Sequence, residues 1–297
     1  MGYLHINNLY KTPNIFLFKE VYALEKIHGT SAHIGWTSDV SGEVKFFSGG
    51  ATHEAFSALF NEDYLKKRFL ALGHNDITVY GEAYGGKMQG MSKTYGDKLR
   101  FIAFDVKIGK RWLTVPEAEL ISRELGLEFV YYIRVPATIE ALTEHRNTYS
   151  VQASRNLGIS AIREGIVIRP LDELSDAYGN RVISKYKNDA FMETASKREV
   201  SPDKLQVLKD AEAIANEWVT DMRLRHVVDA LHLYPVQIEH TGKVIKATLD
   251  DVRREGEGEI AWTKEAERAV CAAAAKLYKK SITDVKEYLV HHPPSGA

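Results

Sequence analysis

Glu25-Lys26-Ile27-His28-Gly29-Thr30 lies between two stretches in which polar and apolar residues alternate, as they do in half-buried strands. The glycine favours a turn, so Lys26 is predicted to lie at the end of a strand, on the rim of a sheet, where a ligand can reach it. An uncharged lysine amine can attack phosphorus, which makes Lys26 a candidate covalent nucleophile. The alternative is a solvated surface lysine, because a lone Lys-x-x-Gly pattern is common.

The composition is that of an ordinary globular protein. The chain has 297 residues, of which 44% are hydrophobic and 27% charged, enough to bury a core in one or two domains. No apolar run is long enough to span a membrane, and the N-terminus lacks the layout of a secretory signal. Cys271 is the single cysteine, which excludes an intramolecular disulfide and a cysteine-based zinc site. We therefore expect a cytoplasmic, monomeric protein that does not bind membranes.

The predicted secondary structure changes near residues 192–201, from a mixture of strands and helices to helices. Strands are predicted at residues 15–25, 31–38, 43–48, 77–82, 100–107, 128–133, 165–169 and 181–187. Helices are predicted among them at residues 53–72, 116–126, 138–146 and 149–157. From Ser201 onward apolar residues recur at helical spacing, with helices expected at 220–233, 263–277 and 283–289. The pattern predicts an α+β domain at 1–195 and a small all-helical domain at 196–297.

Two segments after the lysine turn contain side chains suited to a nucleoside. Glu82 ends a strand before the glycines of Tyr84-Gly85-Gly86, where it can accept hydrogen bonds from ribose hydroxyls. Phe104, in the apolar strand Arg100–Val106, offers a ring that can stack on a purine. The alternatives are a turn-capping carboxylate for Glu82 and a core phenylalanine for Phe104.

Two later segments contain charges suited to phosphates and their counterions. Glu164 directly precedes the β-branched run Gly165-Ile166-Val167-Ile168, where its carboxylate can hold magnesium or pair with an arginine. Lys185 and Lys187 alternate along one strand and therefore share a face. Two ammonium groups side by side favour an anion such as a polyphosphate, although lysines also protect edge strands from aggregation. The net charge of −1 means that any binding of nucleic acid requires such a local basic patch.

In this order the segments resemble the motifs of the covalent nucleotidyltransferase superfamily, which includes ATP-dependent DNA ligases, RNA ligases and mRNA capping enzymes. The Lys-Ile-His-Gly form is most similar to the nick-sealing RNA ligase 2 type. The resemblance covers residues 20–190 and extends more faintly to residues 220–228. DNA ligases and capping enzymes carry an OB-fold after the last lysine motif, and no β-rich segment follows it here. The resemblance implies an adenylation domain of antiparallel sheets flanked by helices.

The resemblance also implies an activity: an ATP-dependent RNA ligase that joins 3′-hydroxyl and 5′-phosphate ends through a lysyl-AMP intermediate. The implied cofactors are ATP and Mg²⁺ or Mn²⁺, and the implied partner is RNA, DNA or an RNA–DNA hybrid. The residues assigned to catalysis are Lys26, Glu164, Lys185 and Lys187, with Glu164 supporting the metal. Those assigned to the nucleotide are Glu25, Ile27, His28, Glu82 and Phe104, together with Lys185 and Lys187 at the phosphates. Lys26 would take the AMP, Glu82 would bind the ribose, Phe104 would stack on adenine, and His28 would lie near the phosphate.

One departure from the family pattern concerns the strand after the lysine motif. The family usually has an arginine there that contacts phosphate or the nucleic-acid end, whereas this chain has Phe46-Phe47-Ser48-Gly49-Gly50-Ala51. Ser48 and the glycine amides are expected to replace it as an anion nest.

Contacts to nucleic-acid phosphates are expected from Arg223, Arg225 and Lys197-Arg198 in the helical region, where ordinary helix-surface charge is the alternative. Three other functions stay open from the residues alone. They are a DNA-preferring ligase, a GTP-using capping-type enzyme, and a non-catalytic nucleotide- or nucleic-acid-binding module.

Overall fold

The computed structural model describes residues 2–38, 42–196 and 210–291, the last seven of these by their backbone only. The described residues form two compact units, the first extending to Ala190 and the second beginning at Phe191. Assignment of separate functions to residues 1–195 and 196–297 stays a prediction. No helix in these described ranges combines the length and the apolar character needed to cross a membrane.

Two antiparallel sheets form the frame of the first unit. Their strands are β1 Glu20–Lys26, β2 Thr30–Thr37, β3 Glu43–Ser48, β4 Asp76–Gly85, β5 Leu99–Ile108, β6 Arg111–Trp112, β7 Tyr132–Pro136, β8 Gly165–Pro170 and β9 Ser184–Lys187. The first sheet has the order β7-β1-β8-β9 and the second the order β3-β2-β4-β5-β6. With the helices that flank them, these sheets confirm the predicted α+β fold of antiparallel sheets.

The helices of the first unit are α1 His53–Ser57, α2 Glu62–Leu72, α3 Ser92–Tyr95, α4 Val115–Glu124, α5 Ile139–Arg146 and α6 Val151–Leu157. The prediction of one helix at 53–72 was wrong, because the side chain of Asn61 accepts a hydrogen bond from the Tyr64 amide and starts a new helix. The predicted strand at 15–25 begins only at Glu20. A 3₁₀-helix, Pro13–Leu17, precedes it, since proline favours the first turn of a helix.

Strand β1 contributes to two apolar cores. Leu24 packs in the same cluster as Ile34 and Ile102 of the second sheet, so this core joins the two sheets. Ala23 instead packs with Ile168 in a separate cluster. Because side chains alternate along a strand, Lys26 lies on the same face as Leu24, the face directed at the second sheet.

A buried charge network also joins the two sheets. Asp105 of β5 accepts hydrogen bonds from Arg169 of β8 at 3.0 Å and from Arg181 at 2.7 Å. Both arginines pair with Glu173, and the hydroxyl of Tyr3 donates to Asp105 at 2.7 Å. Removing one partner would leave buried charge uncompensated, so the network opposes relative movement of β5 and β8.

The second unit is built from the helices α7 Ala211–Trp218, α8 Asp221–Ala230, α9 Thr241–Glu255 and α10 Lys264–His291. Helix α10 has 28 residues, so the prediction of two helices at 263–277 and 283–289 was wrong. Residues 278–282 continue it because Tyr278 and Ile282, four residues apart, are both buried against the other helices.

Arg223 is buried within the second unit. It is 1% exposed, pairs with Asp251, and lies 3.6 Å from Glu193. A side chain enclosed in this way does not reach a phosphate on the surface, so the prediction for Arg223 was wrong. The prediction for Lys197-Arg198 lies outside the described residues.

Candidate active site

Lys26 and Lys187 lie side by side across the end of the first sheet. In the strand register, Gly165 of β8 is opposite Lys26 on one side and Lys187 on the other, so the two lysines share a face. A Cβ atom at position 165 would lie 2.3 Å from the carbonyl oxygen of Tyr186 and 2.7 Å from the Cα of Lys187. A glycine is therefore required between the two lysines, because a side chain there would collide with the backbone of β9.

Glu164 holds the basic groups of this site together. One carboxylate oxygen, Oε2, lies 2.9 Å from Nζ of Lys26 and 3.2 Å from Nδ1 of His28, and the other, Oε1, lies 3.4 Å from Nζ of Lys187. Burial alone would raise the pKa of Glu164, but the charges of Lys26, His28 and Lys187 hold that pKa well below its usual range. The side chain of Lys26 is 23% exposed while that of Glu164 is 2% exposed, so a buried anion anchors a partly exposed lysine.

Glu82 brings a second carboxyl group to the same place from β4. A Cβ at Gly29 would lie 2.3 Å from the carbonyl oxygen of Ala83, so only glycine lets the lysine turn approach β4 this closely. The Gly29 amide donates a hydrogen bond to Glu82. Removal from water raises the pKa of Glu82 to about 8, with Lys26 opposing the rise and Glu164 adding to it. The group is therefore largely protonated at neutral pH.

This pKa makes stability depend on pH. A carboxyl whose pKa is raised from 4.5 to about 8 on folding has no effect on stability below pH 4.5 and a growing cost as the pH rises to 8, because the unfolded chain ionises first. Between pH 5 and pH 7 we expect roughly 2 kcal/mol of lost stability from this group. Urea denaturation of the wild type and of Glu82→Gln at pH 5 and pH 7, in EDTA without nucleotide, measures this change in the free energy of unfolding. The variant should lose less stability over this range, whereas equal losses would contradict the raised pKa.

Lys185 and His28 also have definite places in the site. Lys185 is buried, lies opposite Val167 of β8, and therefore shares the face of Lys187 two residues further along the strand. The backbone amide of His28 donates to the hydroxyl of Tyr95 at 3.4 Å, and Tyr95 is fully buried. Tyr95 was not predicted as part of the site, since a tyrosine in a short polar helix gives no signal in the sequence.

Glu25 and Ile27 point their side chains away from the lysines. The Glu25 carboxylate accepts hydrogen bonds from the Ser150 hydroxyl at 2.5 Å and the Val151 amide at 3.0 Å, at the start of α6. The side chain of Ile27 is buried in the core that joins the two sheets. Contacts of these two residues with a nucleotide stay predictions.

Phe104 lies on β5, outside the cluster around Glu164. Its ring is half-buried and packs against the Tyr3 ring in a T-shaped arrangement, with the ring centroids 4.9 Å apart. Stacking of Phe104 on adenine stays a prediction. The predicted residues that the structure brings together around Glu164 are Lys26, His28, Glu82 and Lys187.

The turn after β3 does not form the expected anion nest. The Ser48 hydroxyl accepts hydrogen bonds from the amides of Gly50 at 3.4 Å and Ala51 at 3.1 Å. The amide of Gly49 donates to the carbonyl of Ser31 at 2.9 Å. Because these amides are used within the protein, the prediction that the glycine amides form an anion nest was wrong, while a contact from the Ser48 hydroxyl to an anion stays a prediction.

The described parts of the chain contain no group of three or more His, Cys, Asp or Glu side chains placed to hold a metal ion. Glu164 by itself supplies oxygen atoms, the ligand type that Mg²⁺ prefers, and Mg²⁺ is commonly bound by one or two carboxylates together with substrate phosphates. The residues present therefore fit a magnesium ion that arrives with a phosphate ligand.

Comparison with known proteins gives both a family match and a structural match. A family model described as RNA ligase matches residues 19–187. No curated protein sequence matches the chain. A Naegleria gruberi RNA ligase variant with ATP and Mn is similar at a TM-score of 0.50 and 17% identity, covering 64% of this chain and 57% of that chain. The same ligase with PPi is similar at a TM-score of 0.50 and 16% identity, with the same coverage of 64% and 57%.

At this level of identity the structural similarity concerns the fold. The present chain spans little more than half the length of the solved proteins that it matches.

Proposed function

The chain belongs to the RNA ligase family, and on this premise we propose that it joins a 3′-hydroxyl to a 5′-phosphate of RNA through a covalent AMP on Lys26. The observation that carries the proposal is the buried Glu164 carboxylate, which draws Lys26, His28 and Lys187 together at the rim of two sheets. Such a group can bind and orient a polyphosphate beside the partly exposed Lys26.

In the first step the lone pair of Lys26 Nζ attacks the α-phosphorus of ATP. A P–N bond forms, the bond from that phosphorus to the β-phosphate oxygen breaks, and pyrophosphate leaves. Nζ must first release its proton, and the partial exposure of the Lys26 side chain allows that proton to pass to solvent. Lys187 faces the same space and offsets negative charge on the phosphates during the transfer.

In the second step an oxygen of the RNA 5′-phosphate attacks the phosphorus of the lysyl-AMP. The P–N bond breaks, the amine takes up a proton, and AMP is now joined to the 5′-phosphate. In the third step the 3′-hydroxyl attacks that 5′-phosphate, loses its proton and displaces AMP. A phosphodiester results, and Lys26 is free to react again.

The remaining predicted residues have supporting roles in this proposal. Glu82 binds the ribose, and because its carboxyl is largely protonated it can donate as well as accept a hydrogen bond there. Phe104 stacks on adenine, and Lys185 contacts phosphate. Glu164 would hold Mg²⁺ or Mn²⁺, and the bound ion would offset charge on the phosphates. Naegleria structures with ATP and Mn, or with AMP and Mn, support the choice of nucleotide and metal.

We further propose that the helical region, residues 196–297, holds the polynucleotide. Arg225 is exposed on α8 and is suited to a phosphate contact, unlike the buried Arg223.

The test is to incubate the protein with magnesium and ATP labelled at the α-phosphate, then denature it. We expect label to remain on the protein, label from GTP to be absent, and the labelled protein to seal nicked RNA. Nicked DNA and hybrid duplexes, run in parallel, identify the preferred ends. Intact protein that takes up no label would end the enzyme proposal, while label from GTP alone would favour a capping-type enzyme.

A further inference from the structure

An exposed aromatic side chain lies on the second sheet with a rigid support beneath it. Phe47 of β3 is directly opposite His33 of β2 in the strand register. Their rings are stacked, with centroids 4.9 Å apart and planes inclined by 23°. Phe47 is nevertheless 46% exposed, so one face of its ring is supported by His33 and the other remains accessible. We call this pair the Phe47 platform.

The Phe47 platform shares a sheet face with Glu82. Ser31 of β2 is opposite Glu82, and His33 is opposite Tyr80, so alternate residues of β2 connect Glu82 to the platform along one face. Strand β3 is two strands from β4, which corresponds to roughly 10 Å. Phe104, proposed for the adenine of ATP, lies on β5 on the other side of β4. The platform therefore flanks the nucleotide site on the side away from adenine.

The strip between Glu82 and the Phe47 platform has hydrogen-bonding capacity that the described residues leave unused. The hydroxyl of Ser31 and Nδ1 of His33 are both buried and have no partner among those residues. Unsatisfied buried polar atoms cost free energy, which a ligand offering a partner recovers. Burial lowers the pKa of His33, so its imidazole is neutral at neutral pH and keeps one acceptor nitrogen.

We propose that the Phe47 platform stacks on a base of the polynucleotide next to the ends that are joined. The proposal rests on the ligase function proposed above. Aromatic side chains stack on any base, so the platform would hold the strand in place without reading its sequence. It also supplies a contact on strand β3, next to the turn in which the amides around Ser48 are already used.

The experiment measures two rates separately for the wild type, Phe47→Ala and Phe47→Trp. One is the formation of protein-AMP from ATP, and the other is single-turnover sealing of nicked RNA by protein that already carries AMP. We expect Phe47→Ala to seal roughly 10-fold or more slowly at subsaturating RNA, and Phe47→Trp to seal at close to the wild-type rate. Protein-AMP formation should be similar in all three. Tyr178→Ala, which removes another exposed aromatic of the same unit, should match the wild type in both rates.

The outcomes distinguish failure of the Phe47 platform from failure of the ligase function on which it rests. If the wild type forms no protein-AMP, the ligase function fails. If protein-AMP forms and Phe47→Ala seals as fast as the wild type, the platform is refuted and the ligase function stands. If Phe47→Ala instead slows protein-AMP formation, the aromatic pair serves ATP, which also refutes the platform. If Phe47→Ala melts at a lower temperature than the wild type, Phe47→Leu keeps the apolar packing and should show the same slow sealing.

Discussion

Lys26→Ala should reduce labelling of the protein by α-labelled ATP to background. The variant lacks the more exposed of the two lysines that pair with Glu164, and neither Lys187 nor Lys185 ends the strand that leads into the Gly29 turn. The variant should also fail to seal nicked RNA when ATP is supplied. Labelled protein resolved on a denaturing gel measures the first effect, and conversion of nicked to sealed RNA measures the second.

Two further variants identify the reason for that loss. Lys26→Arg keeps a positive charge beside Glu164 but cannot release a proton to act as a nucleophile, so it should also take up no label. Lys45→Ala removes an exposed lysine of the same unit and should label normally. Label on Lys26→Arg, or on Lys26→Ala after denaturation, would place the AMP on a different residue.

Glu164→Gln should slow protein-AMP formation by about 100-fold or more, since small displacements of a reacting group have effects of this size. The amide keeps the shape of the carboxylate but loses the charge that holds Lys26, His28 and Lys187 within 3.4 Å. The two lysines would then repel each other across Gly165 without an anion between them. Rapid-quench measurement of labelled protein at saturating ATP gives the rate.

The matched control is Glu43→Gln, which removes a carboxylate from an exposed ion pair with Lys45. Surface pairs contribute little, so this variant should form protein-AMP at the wild-type rate. If Glu164→Gln reacts as fast as Glu43→Gln, the carboxylate does not organise the site. Equal unfolding midpoints of the two variants in urea would show that a slow rate is not a consequence of instability.

The features predicted well are those set by short-range pattern. Alternation of polar and apolar residues was enough to predict most of the strands of the first unit, because each strand has one face in a core, whereas the antiparallel sheets were implied by the family resemblance. The same alternation predicted that Lys185 and Lys187 share a face. The position of Gly29 was enough to predict a turn after Lys26. None of these inferences needs knowledge of distant parts of the chain.

The features predicted poorly depend on contacts between distant residues. Glu25 binds the start of α6, more than a hundred residues away, and nothing near Glu25 reveals that partner. Arg223 resembles a surface cation in a helical pattern until Asp251 and Glu193 enclose it. Ser48 was expected to leave amides available for an anion, but it accepts hydrogen bonds from two of them.

The missing side chain at Gly165 matters for anyone who wishes to transplant this chemistry into another protein. Copying the two lysines and the carboxylate onto three adjacent strands would not suffice, because a methyl group on the middle strand would collide with the backbone of its neighbour. A suitable host needs two adjacent strands whose backbones already approach each other closely at one glycine. Candidate scaffolds are therefore better selected by the closeness of two backbones than by similarity of sequence.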